Sequence, residues 1–145
     1  MTRADIFDLL TVLGLRLSAA TAQGCAALGI TETESRVLVC LAMHGPERSG
    51  TVGGHVHASA RRMTQVADGL SAKRLIVRRP DPCDARAKRL ALTDEGERLA
   101  REIVALRDAW ANQLLADLDS EDLAPLTAVL TQILAAMNNV LPPSA

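Results

Sequence analysis

Apolar positions recur at three- and four-residue steps through most of the chain, the signature of helices buried along one side. Ile6, Leu9, Leu10, Leu13, Leu17 and Ala20 mark a first helix from Asp5 to about Ala27, with Asp8 and Arg16 off the stripe and Gly29 beyond its end. Both flanks of this helix are apolar, which predicts more than one packing neighbour. Thr31-Glu-Thr-Glu34 reads as a capping box, and the helix it opens places Val37, Leu38, Leu41 and Ala42 inward before stopping at His44-Gly45-Pro46. Between Ser49 and His57, Val52 and Val56 keep helical spacing, but Gly50, Gly53 and Gly54 each cost up to about 1 kcal/mol against Ala. A short or irregular helix is expected there. Ser59 then serves as N-cap for a helix to about Lys73, with Met63, Val66, Ala67 and Leu70 inward and Arg61, Arg62 and Gln65 outward.

From Leu75 the period changes. Leu75-Ile-Val77 and Arg89-Leu-Ala-Leu92 are β-prone runs around a charged segment broken by Pro80 and Pro82, which predicts a hairpin with a long projecting loop. Thr93 caps a long helix with Asp94, Glu95 and Glu97 in its first turn, and its stripe runs Leu99, Ile103, Leu106, Trp110, Leu114 and Leu118. Ser120 with Glu121 and Asp122 opens a last helix, apolar at Leu123, Leu126, Leu130, Ile133, Met137 and Leu141, with Pro125 weakening its second turn and Pro142-Pro143 ending it.

Composition supports a mainly α chain. The 145 residues are one domain's worth, Ala and Leu dominate the apolar set, and Phe7 and Trp110 are the only aromatics. The scarcity of aromatics argues against a base-stacking platform for single strands. No run of about 18 uncharged apolar residues is seen, so no membrane span is expected, and Asp5, Asp8 and Arg16 spoil a signal peptide. A soluble cytoplasmic protein follows as the expectation. Cys25, Cys40 and Cys83 are too few and too scattered for a disulfide framework.

Charge changes the picture more than composition does. The formal net charge is −1, yet between Ser59 and Arg89 nine basic residues face only Asp68, Asp81 and Asp84. A basic segment in an acidic body is the footprint of a nucleic-acid-binding surface. The order along the chain here, a short helix and then the basic helix and charged hairpin of this segment, is that of a helix-turn-helix followed by a wing. The second helix of such a unit enters the major groove, and a cationic hairpin reaches the flanking minor groove.

The run Asp81-Pro-Cys-Asp84-Ala-Arg86-Ala-Lys-Arg-Leu90-Ala-Leu92-Thr93-Asp-Glu-Gly96 resembles the wing of the MarR family of regulators, an Asp-x-Arg followed by an apolar strand and Leu-Thr-x-x-Gly. Leu70-Ser-Ala-Lys-Arg-Leu75-Ile76, preceded by Ser59, is similar to the end of that family's recognition helix, and Leu28-Gly-Ile-Thr31 with Val37, Leu38 and Leu41 to the helix before the motif. The resemblance implies a mainly α fold with a small β-hairpin wing: a winged helix-turn-helix over 31–93, and helices in 1–30 and 94–145 that pair two subunits. It implies Arg86 as the wing-tip Arg entering the minor groove, Asp84 as the acidic residue fixing the wing, and Lys88 as a further DNA contact. Arg61, Arg62 and Gln65 become candidates for major-groove contacts, Ser59 and Thr64 for phosphate contacts. A homodimer on a pseudo-palindromic duplex is implied, acting as a repressor that a small-molecule effector releases, with Trp110 as a candidate wall of the effector pocket. Three positions depart from the family's pattern: Ala85, where a second Arg is common; Gly53-Gly54, in place of an Ala-polar pair; and Arg74, where a helix-ending Gly is common.

Other chemistry is thinner. Arg78 and Arg79 on a strand flank fit phosphate contact and solvent equally. His44, His55 and His57 show no HxxxH or Cys/His pairing, so neither a metal nor any other cofactor is expected. Cys25 reads as a small core residue and Cys83 as an exposed thiol in the wing. No Ser/His/Asp, paired-carboxylate, P-loop or GxGxxG pattern suggests an enzyme. The rival expectation is a dimeric winged-helix interaction protein without specific DNA binding, for which the glycines of the helix before the basic one are the support.

Overall fold

The computed structural model describes residues 1–140. Six helices and three short strands follow one another as α1 (Arg3–Ala27), α2 (Glu32–His44), β1 (Glu47–Arg48), α3 (Ser49–Val56), α4 (Ala60–Ala72), β2 (Ile76–Pro80), β3 (Lys88–Leu92), α5 (Asp94–Leu114) and α6 (Ser120–Val140). The expected Leu141 and the Pro142-Pro143 terminator lie outside the described residues.

Helix starts follow their capping chemistry. Thr31 Oγ1 accepts from the Glu34 amide at 3.1 Å while Glu34 Oε2 accepts from the Thr31 amide, so the capping box is closed. Ser59 Oγ accepts from the Arg62 amide and Thr93 Oγ1 from the Gly96 amide. α1 begins two residues before the expected start because Thr2 and Asp5 make a second capping box. The long C-terminal stripe breaks where α5 ends at Leu114, so Leu118 lies in the turn before α6. Pro125 is held inside α6.

The core lies between α2, α3, α4, the sheet and the first turns of α5. Val37, Leu38, Val52, Met63, Leu70 and Ile76 are its largest fully buried side chains. Leu99 and Ala100 of α5 join it, as do Cys25 and Ile30, so the core reaches across both expected region boundaries, at 30 and at 94. Ala42, expected inward, is exposed, and Cys40 takes the buried position instead. The sheet has the order β1-β3-β2, all antiparallel, with Ile76 opposite Leu92 and Glu47 opposite Leu90. β1 was not expected; its two polar residues carry no period, and only their pairing with β3 makes them a strand.

Two glycines are required by close approach. The glycine-rich α3 is a regular eight-residue helix. A Cβ at Gly53 would lie 3.0 Å from both the Ala58 carbonyl oxygen and Met63 Cγ, so its absence lets α3 pack against the turn and α4. The propensity argument for an irregular segment is overridden by that contact. A Cβ at Gly96 would collide with the Leu75 carbonyl oxygen. The Leu-Thr-x-x-Gly run therefore has a steric cause: Thr93 caps α5 and donates its hydroxyl to the Arg74 carbonyl at 2.8 Å, while Gly96 lets the chain just after α4 sit against α5.

α1 and α6 hold no unbroken apolar run, yet each has an 18-residue window long and apolar enough to cross a membrane by length and average composition. Neither helix is sequestered within the chain: α1 buries only Cys25, and α6 buries nothing.

Candidate nucleic-acid interface

α4 is presented by two preceding turns. His57, at φ 56, takes the left-handed conformation after α3, and Ser59 then caps α4. Met63, Val66, Ala67 and Leu70 anchor the helix, so Arg61, Arg62, Thr64 and Gln65 point outward, and all four are exposed. Ser59 beside them is exposed too. The Thr64 hydroxyl donates back to the Ala60 carbonyl at 3.1 Å, leaving its lone pairs outward. A cleft of about 360 Å³ runs between the start of α2 and the start of α4; Arg36, His57, Arg61, Arg62 and Gln65 line it. Arg36 was missed in the sequence because it stands in α2, away from the basic segment, and only folding brings it beside α4.

The far end of α4 is fixed by charge. Lys73 Nζ meets the buried Glu34 carboxylate at 2.5 Å. Arg78 Nη2 meets Asp68 at 2.7 Å, which ties β2 back to α4 and occupies one of the two arginines left open by sequence. Arg74 itself adopts φ 59, the left-handed conformation for which Gly is suited.

β2 and β3 form the predicted wing. Within its loop, Asp84 Oδ1 accepts from the Arg86 amide at 3.0 Å and the Asp84 carbonyl from the Ala87 amide, a local turn that presents Arg86 at the exposed tip. Lys88 is exposed opposite Pro80. The larger structural role belongs to Asp81, which sequence reasoning counted only as a charge. Its side chain is 1 % exposed; Oδ2 receives Arg48 Nε and Arg89 Nε, both at 2.9 Å, and Oδ1 receives the Cys83 and Asp84 amides. These donors hold its carboxyl well below the usual carboxylate range, the Arg48 and Arg89 bonds foremost, so it remains ionised through ordinary pH. The signal lay in Asp-Pro at the loop's start, but its partner Arg48 is 33 residues away.

Trp110 sits away from this surface. It is 39 % exposed, and its indole covers Gly24, with Cη2 3.6 Å from the position of an added Cβ, so it bridges α5 and α1. Cys25 is buried and Cys83 exposed, as their settings implied. His44 and His55 stack with centroids 4.4 Å apart, and no group of three or more metal-ligating side chains occurs among the described residues.

No family model matches the chain. The HTH-type transcriptional repressor MdtR of Bacillus subtilis is 33% identical over 107 residues, 72% of this chain and 69% of the relative. Among solved structures, a Staphylococcus aureus MepR–DNA complex superposes with a TM-score of 0.79 at 21% identity, covering 94% of this chain and 98% of that one. A MarR family transcriptional regulator from Silicibacter pomeroyi gives 0.77 at 23% identity, covering 90% and 88%. The two structures share the fold, MdtR shares sequence over most of both chains, and with the helix-turn-helix and wing laid out as above, the chain belongs to the MarR family of winged helix-turn-helix, DNA-binding transcriptional regulators.

Proposed function

We propose that two copies of the chain pair through α1, the distal half of α5 and α6, and present their α4 helices to successive major grooves of a pseudo-palindromic duplex. The observation that carries this reading is the outward set on α4, Arg61, Arg62 and Gln65, flanked by an exposed wing-tip Arg86. Arg reads guanine bidentately and Gln reads adenine, while Ser59, Thr64 and Lys88 hold the backbone. Residues 31–93 then form the DNA-binding region, with 1–30 and 94–145 serving the pairing. The charges of α1 (Arg3, Asp5, Asp8 and Arg16) and of α6 (Glu121 and Asp122) favour a protein partner over a membrane for these helices. A cytoplasmic location follows from work on DNA.

The chain acts as a repressor in this reading, and a small-molecule effector releases the DNA by favouring a spacing of the two α4 helices that no longer fits the grooves. Support for a pocket is the partly exposed Trp110 at the α1–α5 junction. Because it is the single Trp and Tyr is absent, its emission reports directly on effector binding. The rival expectation of a scaffold without specific DNA binding loses its support, since α3 is a formed helix with Gly53 at a packing contact.

A duplex selected from a random pool, titrated by fluorescence anisotropy, tests the reading. Replacing Arg61 or Gln65 by Ala costs about 1–3 kcal/mol and relaxes base preference at one position per half-site. Arg86→Ala weakens binding mainly to duplexes with a narrow minor groove beside the half-site. Unchanged affinity in all three variants contradicts it.

A further inference from the structure

The strand order β1-β3-β2 places three arginines in one row across the sheet. Arg48 is opposite Arg89, and Arg89 is opposite Arg79. Residues directly opposite on antiparallel strands share a face, and like charges so placed repel. Arg78, one residue away, turns to the other face and is paired with Asp68 on α4. Asp81 meets two members of the row, Arg48 and Arg89, both through Nε. Its second oxygen is taken by the Cys83 and Asp84 amides, so one carboxylate with both oxygens engaged serves a row of three arginines and meets only two of them. The Nη1 and Nη2 atoms of Arg48 and Arg89 make no hydrogen bond to the described residues, and their side chains are 48% and 34% exposed. Arg79 is exposed as well.

Such a row is a preorganised anion site. Holding Nε orients the guanidinium groups of Arg48 and Arg89, and the two remaining nitrogens of each form the fork that matches phosphate oxygens bidentately. Two inter-strand gaps of about 4.8 Å make the row about 10 Å long, wider than one small anion. Arg79 and Arg89 stand on the hairpin that carries Arg86, and Arg48 on the strand paired with it. We propose that Arg48, Arg89 and Arg79 form a binding site for the DNA sugar–phosphate backbone beside the groove entered by the wing, with Asp81 as its positioning residue. This rests on the reading of the chain as a DNA-binding protein, and it adds a binding surface that neither α4 nor the wing tip supplies.

The test is anisotropy of a labelled linear duplex of arbitrary sequence across a KCl series, with Arg79→Gln and Arg48→Gln compared with the unaltered chain. Melting followed by circular dichroism establishes that both variants are folded; each leaves Arg89 to hold Asp81. Each substitution is expected to reduce the magnitude of the log–log salt slope by about 0.9 for every phosphate that is no longer neutralised, hence about 1.8 when two copies bind. Arg79→Lys, which keeps the charge, restores most of the slope. Folded variants with the slope of the unaltered chain overturn the proposal, and if Arg61→Ala still weakens binding then the DNA-binding reading survives without it. Absence of salt-dependent binding by the unaltered chain removes both. Titration with inorganic phosphate, followed at the arginine Nε–H resonances, separates the sources. A saturable shift at Arg79 with unaltered duplex slopes in the variants would mark a free-anion site and overturn the backbone assignment.

Discussion

The chain divides into a lobe that buries its own core and a set of helices that do not. Between Cys25 and Ile103, helices α2 to α4, the sheet and the first turns of α5 enclose a continuous apolar cluster. Before Cys25 and from Val104 to Val140 no residue is buried. Phe7 is 67% exposed, Leu114 66% and Leu134 64%. Both regions are rich in Leu, Val and Ala, so hydrophobicity does not separate them. The difference lies in whether the partner surface is in the same chain: a monomer rarely leaves this much apolar surface open, and the proposed pairing would cover it.

Charge placed on the unpaired helices gives the largest expected effect. Leu13→Glu combined with Leu130→Glu puts carboxylates into the proposed pairing surface, each at several kcal/mol, and raises the dimer dissociation constant at least about a thousandfold in sedimentation equilibrium. A variant that remains dimeric breaks the comparison. Inside the lobe, Leu38→Ala removes a fully buried side chain and costs about 2–5 kcal/mol in denaturant unfolding, with self-association retained.

Smaller effects sharpen the account of the lobe. Gly53→Ala meets the Ala58 carbonyl and Met63 and destabilises by about 1 kcal/mol, overpacking outweighing the gain in helix propensity. Gly54→Ala has nothing within 4 Å and stabilises by about 0.5–1 kcal/mol. Thermal melts of the two should therefore move in opposite directions. Arg74→Gly relieves a left-handed backbone and gains up to about 1 kcal/mol, read as a small rise in Tm.

Much of the lobe was legible in the sequence, for local reasons. Thr31, Ser59 and Thr93 announce helix starts through hydrogen bonds that span three residues, and the apolar stripe of α4 fixes by elimination which of its residues face outward. Features joined by folding were not legible. Arg48 and Asp81 meet across 33 residues, and β1 exists only as the partner of β3. Gly53 and Gly54 look alike in sequence; only the positions of Met63 and the Ala58 carbonyl separate a required glycine from a tolerated one. The average hydropathy of α1 and α6 was hidden by their broken stripes: both average as apolar over 18 residues while carrying a few charges and polar residues.

Hydroxyl-radical footprinting of the chain on its selected duplex tests the central claim most directly. Two symmetric α4 helices predict two equivalent protected stretches centred about one helical turn, 10–10.5 base pairs, apart, with flanking protection where the wings lie. A single unsymmetrical stretch, or protection retained in full by the Leu13→Glu, Leu130→Glu variant as a monomer, would contradict it.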